Sequence, residues 1–425
     1  MSTPASPTAF EKKPPLLSGL LLVFLLAMIL ANIGGNMYGP LLPLYLKDLG
    51  ADIVQVGLFF TLAQIIPLVL QILGGWISDS IGRLRAIAFG SIAGVFAYVA
   101  LILAPSWQWL LLGSAFFAMG TSLVGPSFDA FIAEHSSEAN RARVFGITHA
   151  LFMVVGVVGP LLGGYLAEVR GFKFMLVVAA VMYLSATIIR IAMARQAARS
   201  TEAHKPGLSL QGLKMNLGTM FGMITAGGVV TWILLTDGAR DISFALSMNL
   251  FPVYLEQIGG LSLRQIGLMN SVFGLCMMLT TIPGGWIADK KGERVGIVIA
   301  FFLLGSSLLW LIYMPVQSFW FYLLGWVLAG AGVGLATPAY QSLISKAVPE
   351  RVRGTAYGLF SSSLGLVSLP APWIGGQLWD KISPRFPFLI TAVVSILSII
   401  PAWFKFKLPK DTAQDVQATL VDEQT

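Results

Sequence analysis

The chain has 425 residues, of which only 11% are charged (27 Lys and Arg, 20 Asp and Glu), while 56% are hydrophobic. Soluble domains carry about 25% charged residues, so this composition excludes an ordinary soluble enzyme, and it is the opposite of the bias in disordered chains. The single cysteine excludes an intramolecular disulfide and a multi-cysteine metal site. The net charge of +7 leaves two classes open, proteins that bind nucleic acid and membrane proteins with basic cytoplasmic loops.

Apolar stretches follow one another along the chain, each long enough to cross a hydrocarbon core of about 30 Å as a helix. In chain order they are residues 17–46, 53–77, 86–104, 107–133, 144–168, 172–195, 222–255, 262–288, 295–314, 318–345, 354–379 and 386–406. The alternating pattern of a transmembrane β-barrel is absent from the sequence. We therefore predict an all-α polytopic membrane protein with twelve transmembrane helices.

The basic residues indicate which helix ends face the cytoplasm. With a cytoplasmic N-terminus, 20 of the 27 Lys and Arg lie in the tails, the cytoplasmic loops and the helix ends beside them. Six lie on the other side, and Arg240 lies within a span. This asymmetry predicts that both termini are cytoplasmic. We expect the protein in a plasma membrane, and the short loops favour the inner membrane of a prokaryote. Because the basic residues are scattered over loops, nucleic-acid binding is not expected.

Segments of the first half recur about 210 residues later in the second half, as in a duplicated chain. The recurring segments are Pro43-Leu44-Tyr45-Leu46 with 252–255, Gln55-Val56-Gly57 with Gln265-Ile266-Gly267, 74–82 with 284–292, and Pro160-x-x-Gly163-Gly164 with Pro372-x-x-Gly375-Gly376. Each half then carries six helices in one orientation, which predicts two bundles related by an axis along the membrane normal. The predicted units are residues 1–195, a cytoplasmic linker of residues 196–221, and residues 222–425 with the cytoplasmic tail.

The segment Gly75-Trp76-Ile77-Ser78-Asp79-Ser80-Ile81-Gly82-Arg83 lies between the second and third spans. It resembles motif A of the major facilitator superfamily, whose members are secondary transporters that work by alternating access. The resemblance implies the fold of that family and a transport function, not an enzyme. Ser80 stands where the family usually has a basic residue, and the second copy has Glu293 where Arg83 stands. The sequence has no G-x-x-x-x-G-K-[ST] phosphate loop, so direct coupling to ATP is not expected.

Each copy of the motif has a carboxylate at the predicted cytoplasmic end of a span, Asp79 in span two and Asp289 in span eight. A carboxylate there can face a helix N-terminus, whose free N–H groups favour an anion. The twofold axis brings the arginine-bearing starts of spans eleven and five close to these carboxylates. We expect these contacts to latch the cytoplasmic side in the outward-facing state; the alternative is that the charges only set the topology. The candidate gate residues are Gly75, Asp79, Gly82, Arg83, Arg353, Gly285, Asp289, Gly292 and Arg143.

Gly159, Pro160, Gly163 and Gly164 in span five resemble motif C, which is common in antiporters of the family. Two interpretations stay open for these residues. They are either small residues for helix packing with a proline bend, or a flexing gate against span eight, which would favour export. Phe116 stands where the arginine of motif B is expected, which weakens a drug-antiporter interpretation that depends on that arginine.

Ionisable groups at membrane depth are costly and are therefore functional candidates. Asp237, Arg240 and Asp241 in span seven form the sharpest cluster, and their spacing allows all three to share one helix face. One arginine cannot neutralise two carboxylates, so one of the two is a candidate for proton coupling; a static ion-pair network is the alternative. Further polar candidates for a central cavity are Asn32, Asn36, Tyr38, Gln64, Asn249 and Asn270, while Asp129 is a candidate partner for Arg143 or Arg190.

The function predicted from these features is proton-coupled efflux of a small hydrophobic or amphipathic compound. One alternative is a proton-linked importer or exchanger of a small organic anion, with Arg240 as the anion ligand. The other is a lipid-moving or sensor protein on the same fold. The expected partners are a small-molecule substrate, a proton or other coupling ion and the bilayer. We expect a monomer without cofactor or metal.

Overall fold

The computed structural model describes residues 19–81, 83–136, 138, 140–197, 228–313, 318–347 and 367–407. Within these ranges all regular elements are helices, as the composition predicts. The helices are α1 (Gly19–Tyr38, continued by Leu42–Asp48), α2 (Ile53–Ile81), α3 (Arg83–Leu103), α4 (Trp107–Glu134), α5 (Arg141–Arg170), α6 (Phe172–Ala197), α7 (Val229–Ser247, continued by Phe251–Gln257), α8 (Leu263–Lys291), α9 (Glu293–Tyr313), α10 (Phe319–Ala347), α11 (Ala371–Lys381) and α12 (Phe386–Leu397, continued by Ile399–Lys405).

The helices confirm the prediction of a polytopic membrane fold. In the described ranges, nine helices are long and apolar enough to cross a membrane. Their outer faces carry exposed apolar side chains, such as Leu103 at 71% and Ile282 at 80% exposure, which suits contact with lipid. Observed ends differ from the predicted ones by a few residues, as for α4, which ends at Glu134. The linker 196–221 and the first part of span eleven lie almost entirely outside the described residues.

The repeated Gln-x-Gly segment has a structural reason at the start of α2 and α8. Gln265 N–H donates to Ser262 Oγ at 3.3 Å, and Ser262 N–H donates to Gln265 Oε1 at 2.9 Å. The same reciprocal pair joins Gln55 and Asp52, at 2.8 and 3.0 Å. Such a capping box satisfies backbone N–H groups that a helix start leaves free. The duplicated sequence therefore gives both halves the same helix start.

The glycine of this segment allows the two halves to touch through their backbones. A Cβ on Gly57 would clash with the carbonyl oxygen of Pro372, and a Cβ on Gly267 would clash with that of Pro160. The two contacts are equivalent under the repeat, since they join α2 to α11 and α8 to α5. Small residues allow this close approach between membrane helices. The repeat therefore forms a symmetric seam between the halves.

Charged side chains close the same end of the bundle. Lys47 Nζ lies 3.0 Å from Glu256 Oε2, and these residues occupy equivalent positions in the two copies of the repeat. Nearby, the backbone N–H of Arg264 donates to Glu168 Oε2 at 2.7 Å, again from one half to the other. The two halves are therefore held together at the end of the molecule that carries Lys47.

Each half also has one ion pair between its third and fourth helices, with the charges exchanged. In the first half, Arg83 Nε lies 3.4 Å from Glu134 Oε1. In the second half, Glu293 at the start of α9 pairs with Lys346 near the end of α10. Glu293 stands at the position equivalent to Arg83, so the departure from the motif noted in the sequence is matched by a charge reversal on the neighbouring helix.

Candidate functional site

The three charged residues of α7 line one cavity, as their spacing predicts. Arg240 Nη1 donates to Asp237 Oδ1 at 3.3 Å, and the two side chains are only 13% and 16% exposed. The guanidinium carbon of Arg240 lies 4.0 Å from the centre of the Phe301 ring. Asp241 is exposed, and no ion pair joins it to another residue of the described ranges. Arg240 therefore neutralises Asp237, and Asp241 carries the remaining negative charge.

This space, which we name the carboxyl-half cavity, has a volume of about 440 Å³ and lies between α7, α9 and α10. Its polar wall consists of Asp237, Arg240, Asp241, Thr337 and Tyr340. The rest of the wall is apolar, and it includes side chains that also line a second cavity. The cluster thus faces a space that a substrate or water can enter.

The second space, the central cavity, has a volume of about 350 Å³ and is bounded by both halves of the chain. Most of its wall is apolar, and Trp326 stacks on Phe251 there with a ring separation of 4.3 Å. Asn249 and Asn270 lie on this wall, as predicted. The side chains that it shares with the carboxyl-half cavity are Phe244, Leu304 and Val333. The charged cluster and the apolar space are therefore adjacent.

The third space, the amino-half cavity, has a volume of about 430 Å³ and lies among helices of the first half. The predicted residues Asn32 and Tyr38 line it, together with Asp129 and Arg190. Asp129 pairs with neither of its two predicted partners in the described part of the chain. The polar candidates of span one and span seven thus divide between separate cavities.

Arg190 is the functional candidate that the sequence interpretation missed. It is 1% exposed, and its Nη1 donates to Ser91 Oγ at 2.8 Å. The sequence interpretation grouped it with the basic residues of the cytoplasmic helix ends. The available signal was its position inside the predicted span 172–195, where the cost of burying a charge makes any ionisable residue a candidate.

Two polar candidates of the first half, Asn36 and Gln64, are not among the residues that line the amino-half cavity. The Asn36 amide donates to the carbonyl oxygen of Asn32 at 2.8 Å within α1, and its Cβ lies against Gly159. Gln64 lies half-buried on α2. Asn36 therefore contributes to helix packing between α1 and α5.

Comparison with known proteins agrees with this architecture. The family model of the Major Facilitator Superfamily matches residues 24–236 and again residues 234–421. The chain belongs to the Major Facilitator Superfamily. The chain is therefore a multi-pass membrane transporter of a small molecule and not an enzyme.

Similar proteins include one named as an efflux pump and one named as a resistance protein. The chain is 27% identical over 384 residues to the multi-drug resistance efflux pump PmrA homolog of Lactococcus lactis, covering 87% of this chain and 90% of that protein. It is 24% identical over 377 residues to the quinolone resistance protein NorA of Staphylococcus aureus, covering 88% and 93%.

Solved structures of other transporters share the fold. A bacterial homologue of the iron transporter ferroportin, in an inward-facing state, has a TM-score of 0.74 at 15% identity and covers 92% of this chain and 100% of its own. A peptide transporter POT in complex with alafosfalin has a TM-score of 0.73 at 14% identity, covering 90% and 93%. At such identities the likeness concerns the fold alone.

The motif C residues of this superfamily member pack α5 against two neighbours. A Cβ on Gly163 would clash with the carbonyl oxygen of Met37 in α1. A Cβ on Gly164 would lie 2.6 Å from the carbonyl oxygen of Leu263 and 2.9 Å from the Cα of Gly267 in α8. The contact of Gly164 with α8 joins the two halves of the chain. Both interpretations, helix packing and a gate against α8, therefore refer to this contact.

In the segments that resemble motif A, most side chains are described for the second copy only. Gly292 ends α8 with a φ of 92°, in the left-handed region that glycine adopts readily. Asp289 and Arg143 are both exposed, and no ion pair joins them. The described residues do not include two of the gate candidates, Gly82 and Arg353. The side chains of residues 71–81, including that of Asp79, are also outside the description. Arg83 pairs with Glu134 of its own half.

Proposed function

We propose that this transporter exports small hydrophobic or amphipathic compounds in exchange for protons. The observation that carries the proposal is the shared wall between the apolar central cavity and the charged carboxyl-half cavity. Phe244 lies on both walls, with its ring centre 5.9 Å from the guanidinium carbon of Arg240. A compound in the central cavity would therefore touch the side chain that packs on the charged cluster.

The central cavity suits an amphipathic guest. Its volume of about 350 Å³ is within the usual range of small-molecule sites, about 300–1,000 Å³. Aromatic and aliphatic side chains supply most of its surface, and the amides of Asn249 and Asn270 supply directional groups. The names of two relatives, a multi-drug resistance efflux pump and a quinolone resistance protein, support export of such compounds.

The charged cluster suits a proton carrier. Asp237, Arg240 and Asp241 carry a net charge of about −1 when all are ionised, and Tyr340 is the other titratable group on the cavity wall. One proton on the carboxylate pair makes the cluster neutral. Because Arg240 already pairs with Asp237, we assign the transported proton to Asp241. The halves, residues 1–195 and 222–425, would then rock about the linker 196–221 as protonation changes.

Orientation follows from the basic residues. We propose a prokaryotic inner membrane with both termini in the cytoplasm, and a monomer as the working unit. The closed end that carries Lys47 and Glu256 then faces outward. In a state open to the cytoplasm, the central cavity would load substrate, and Asp241 in the carboxyl-half cavity would release its proton.

The test uses the full chain in sealed proteoliposomes with a fluorescent quinolone and an imposed pH gradient. We expect the gradient to drive quinolone transport in the wild type. Asp241→Asn should lower this driven transport at least about tenfold, since a positioned proton-transfer group contributes about 10²–10⁴-fold. Quinolone exchange without a gradient should persist in Asp241→Asn, because binding does not need the proton.

The matched control is Asp380→Asn, which removes an exposed carboxylate of α11 and should leave driven transport unchanged. Gradient-driven transport that survives in Asp241→Asn would contradict the proton assignment. A wild type that ignores the gradient, or that moves fluorescent lipid instead, would contradict the proposed function itself.

A further inference from the structure

We infer that Arg190 makes the amino-half cavity an anion subsite, which takes the carboxylate of an amphipathic organic acid. The inference rests on the proposed function, because it specifies the chemistry of the exported compound. It also changes the residue to which the anion is assigned, since the sequence favoured Arg240. The argument depends on how each of these two arginines is neutralised.

Arg190 is buried among neutral groups. Its Nη1 donates to Ser91 Oγ at 2.8 Å, and its Nη2 lies 3.4 Å from the carbonyl oxygen of Ala27 and 2.9 Å from Met28 Sδ. The guanidinium carbon lies 5.8 Å from the centre of the Tyr183 ring. These contacts come from α1, α3 and α6 and hold the head group firmly at the cavity wall. None of them carries a negative charge.

The guanidinium is therefore a buried charge that lacks a counter-charge in the described part of the chain. Arg190 is 1% exposed, and its Nε has no hydrogen-bond partner there. Burying a cation without an anion is costly, and the cost falls when a carboxylate binds it. Arg240 differs, because Asp237 already neutralises it at 3.3 Å. Binding of an anion would therefore be more favourable in free energy at Arg190 than at Arg240.

The remaining wall of the cavity suits the apolar body of such an acid. Phe117, Phe128 and Phe152 lie on it, and Asn32 and Thr121 add neutral polar groups. The volume of about 430 Å³ accommodates a small fused-ring compound. Asp129 is the acidic residue on this wall; it is exposed and makes no ion pair with Arg190. A pairing of Asp129 with Arg190 in another state is the competing explanation.

The experiment measures equilibrium binding to the purified full chain in detergent, without a pH gradient. The probes are naphthoate, a rigid aromatic carboxylate, and naphthamide, its neutral counterpart. We expect the wild type to bind naphthoate at least about tenfold more tightly, since a hydrogen bond to a charged group contributes on this scale. Arg190→Gln should remove the preference, and Arg190→Lys should keep part of it. The control Arg195→Gln, which changes an exposed arginine of the same helix, should keep the preference.

A second variant tests the site without touching the buried arginine. Gly125 lines the cavity, and a Cβ there meets nothing within 4 Å, so Gly125→Leu adds its Cβ without a clash and takes up space at the cavity. We expect it to weaken naphthoate binding about tenfold or more. Its control is Gly146→Leu, since Gly146 is also unobstructed and lies on α5 away from the described cavity walls.

Three results would overturn the inference: equal affinity of the wild type for both probes, a preference that persists in Arg190→Gln, or naphthoate binding that Gly125→Leu leaves intact. A preference that disappears in Asp129→Asn but not in Arg190→Gln would also overturn it. If the anion subsite fails while the pH gradient still drives quinolone export, the proposed function stands. If Arg190 binds naphthoate but the gradient drives no transport, only the proposed function fails.

Discussion

Reversing the charge of Lys47 should open the closed end of the bundle. Lys47 Nζ lies 3.0 Å from Glu256 Oε2, and the side chains are 25% and 41% exposed. A pair of this exposure contributes about 0.5–1 kcal/mol. In Lys47→Glu the attraction is lost and a repulsion of similar size replaces it, so the closed state loses roughly 1–2 kcal/mol. That loss changes the ratio of open to closed states by about 5–30-fold.

The assay is the rate at which a membrane-impermeant maleimide, added from outside, labels one cysteine in the central cavity. Ser307 lies on that cavity wall and is fully buried, so Ser307→Cys in a Cys276→Ala background reports the opening. We expect Lys47→Glu to raise the labelling rate at least about fivefold. The double reversal Lys47→Glu with Glu256→Lys should return the rate to within about twofold of the parent, because it restores the ion pair.

The control for this measurement is Lys173→Glu, which reverses an exposed lysine that makes no ion pair within the described ranges. High salt should also reduce the difference in labelling rate between Lys47→Glu and its parent, because salt screens exposed charges. The reasoning is refuted if Lys47→Glu labels at the parental rate, or if adding Glu256→Lys increases opening further instead of reversing it.

Two further predictions concern contacts within the helical scaffold. Gly164→Ala should weaken the closed state by about 1–3 kcal/mol through overpacking against backbone atoms of α8, and should raise maleimide labelling, whereas Gly146→Ala on the same helix should not; equal labelling in both would contradict it. Reversing Glu293 alone should lower the thermal stability of the purified protein by about 1 kcal/mol, and adding Lys346→Glu should recover most of that loss; a purely additive double variant would contradict the pairing.

The fold was predictable because its two strongest signals, the apolar runs and the internal repeat, can be read directly along the sequence. Apolar runs give the helices, and the repeat gives their arrangement in two bundles. The repeat also predicts local geometry, since Gln55 and Gln265 form equivalent capping boxes. One detail differs. The offset of 209 residues from Pro43 to Pro252 places the equivalent of Gly50 at Gly259, but the left-handed backbone of Gly50 recurs at Gly260, with φ values of 86° and 65°. The second half has one additional residue before this turn.

Arg190 was not predicted because sequence position gives only an approximate depth in the membrane. Its neighbour Arg195 marks a helix end, and the two arginines look alike in a count of basic residues. In the structure α6 continues to Ala197, which leaves Arg190 about two turns from the end. Three helices then meet around its guanidinium, and their meeting is a tertiary property that no local pattern contains. The pairing of Lys47 with Glu256 has the same origin.

The symmetry of this transporter extends to its backbone contacts but not to its buried charges. Gly57 and Gly267 make equivalent contacts between the halves, as an axis that relates two rocking bundles requires. The buried arginines break this equivalence. Among the described residues Arg190 of α6 pairs with no carboxylate, whereas Arg240 of α7 pairs with Asp237. In the proposed function, this asymmetry assigns the substrate anion to Arg190 in one half and the transported proton to Asp241 in the other.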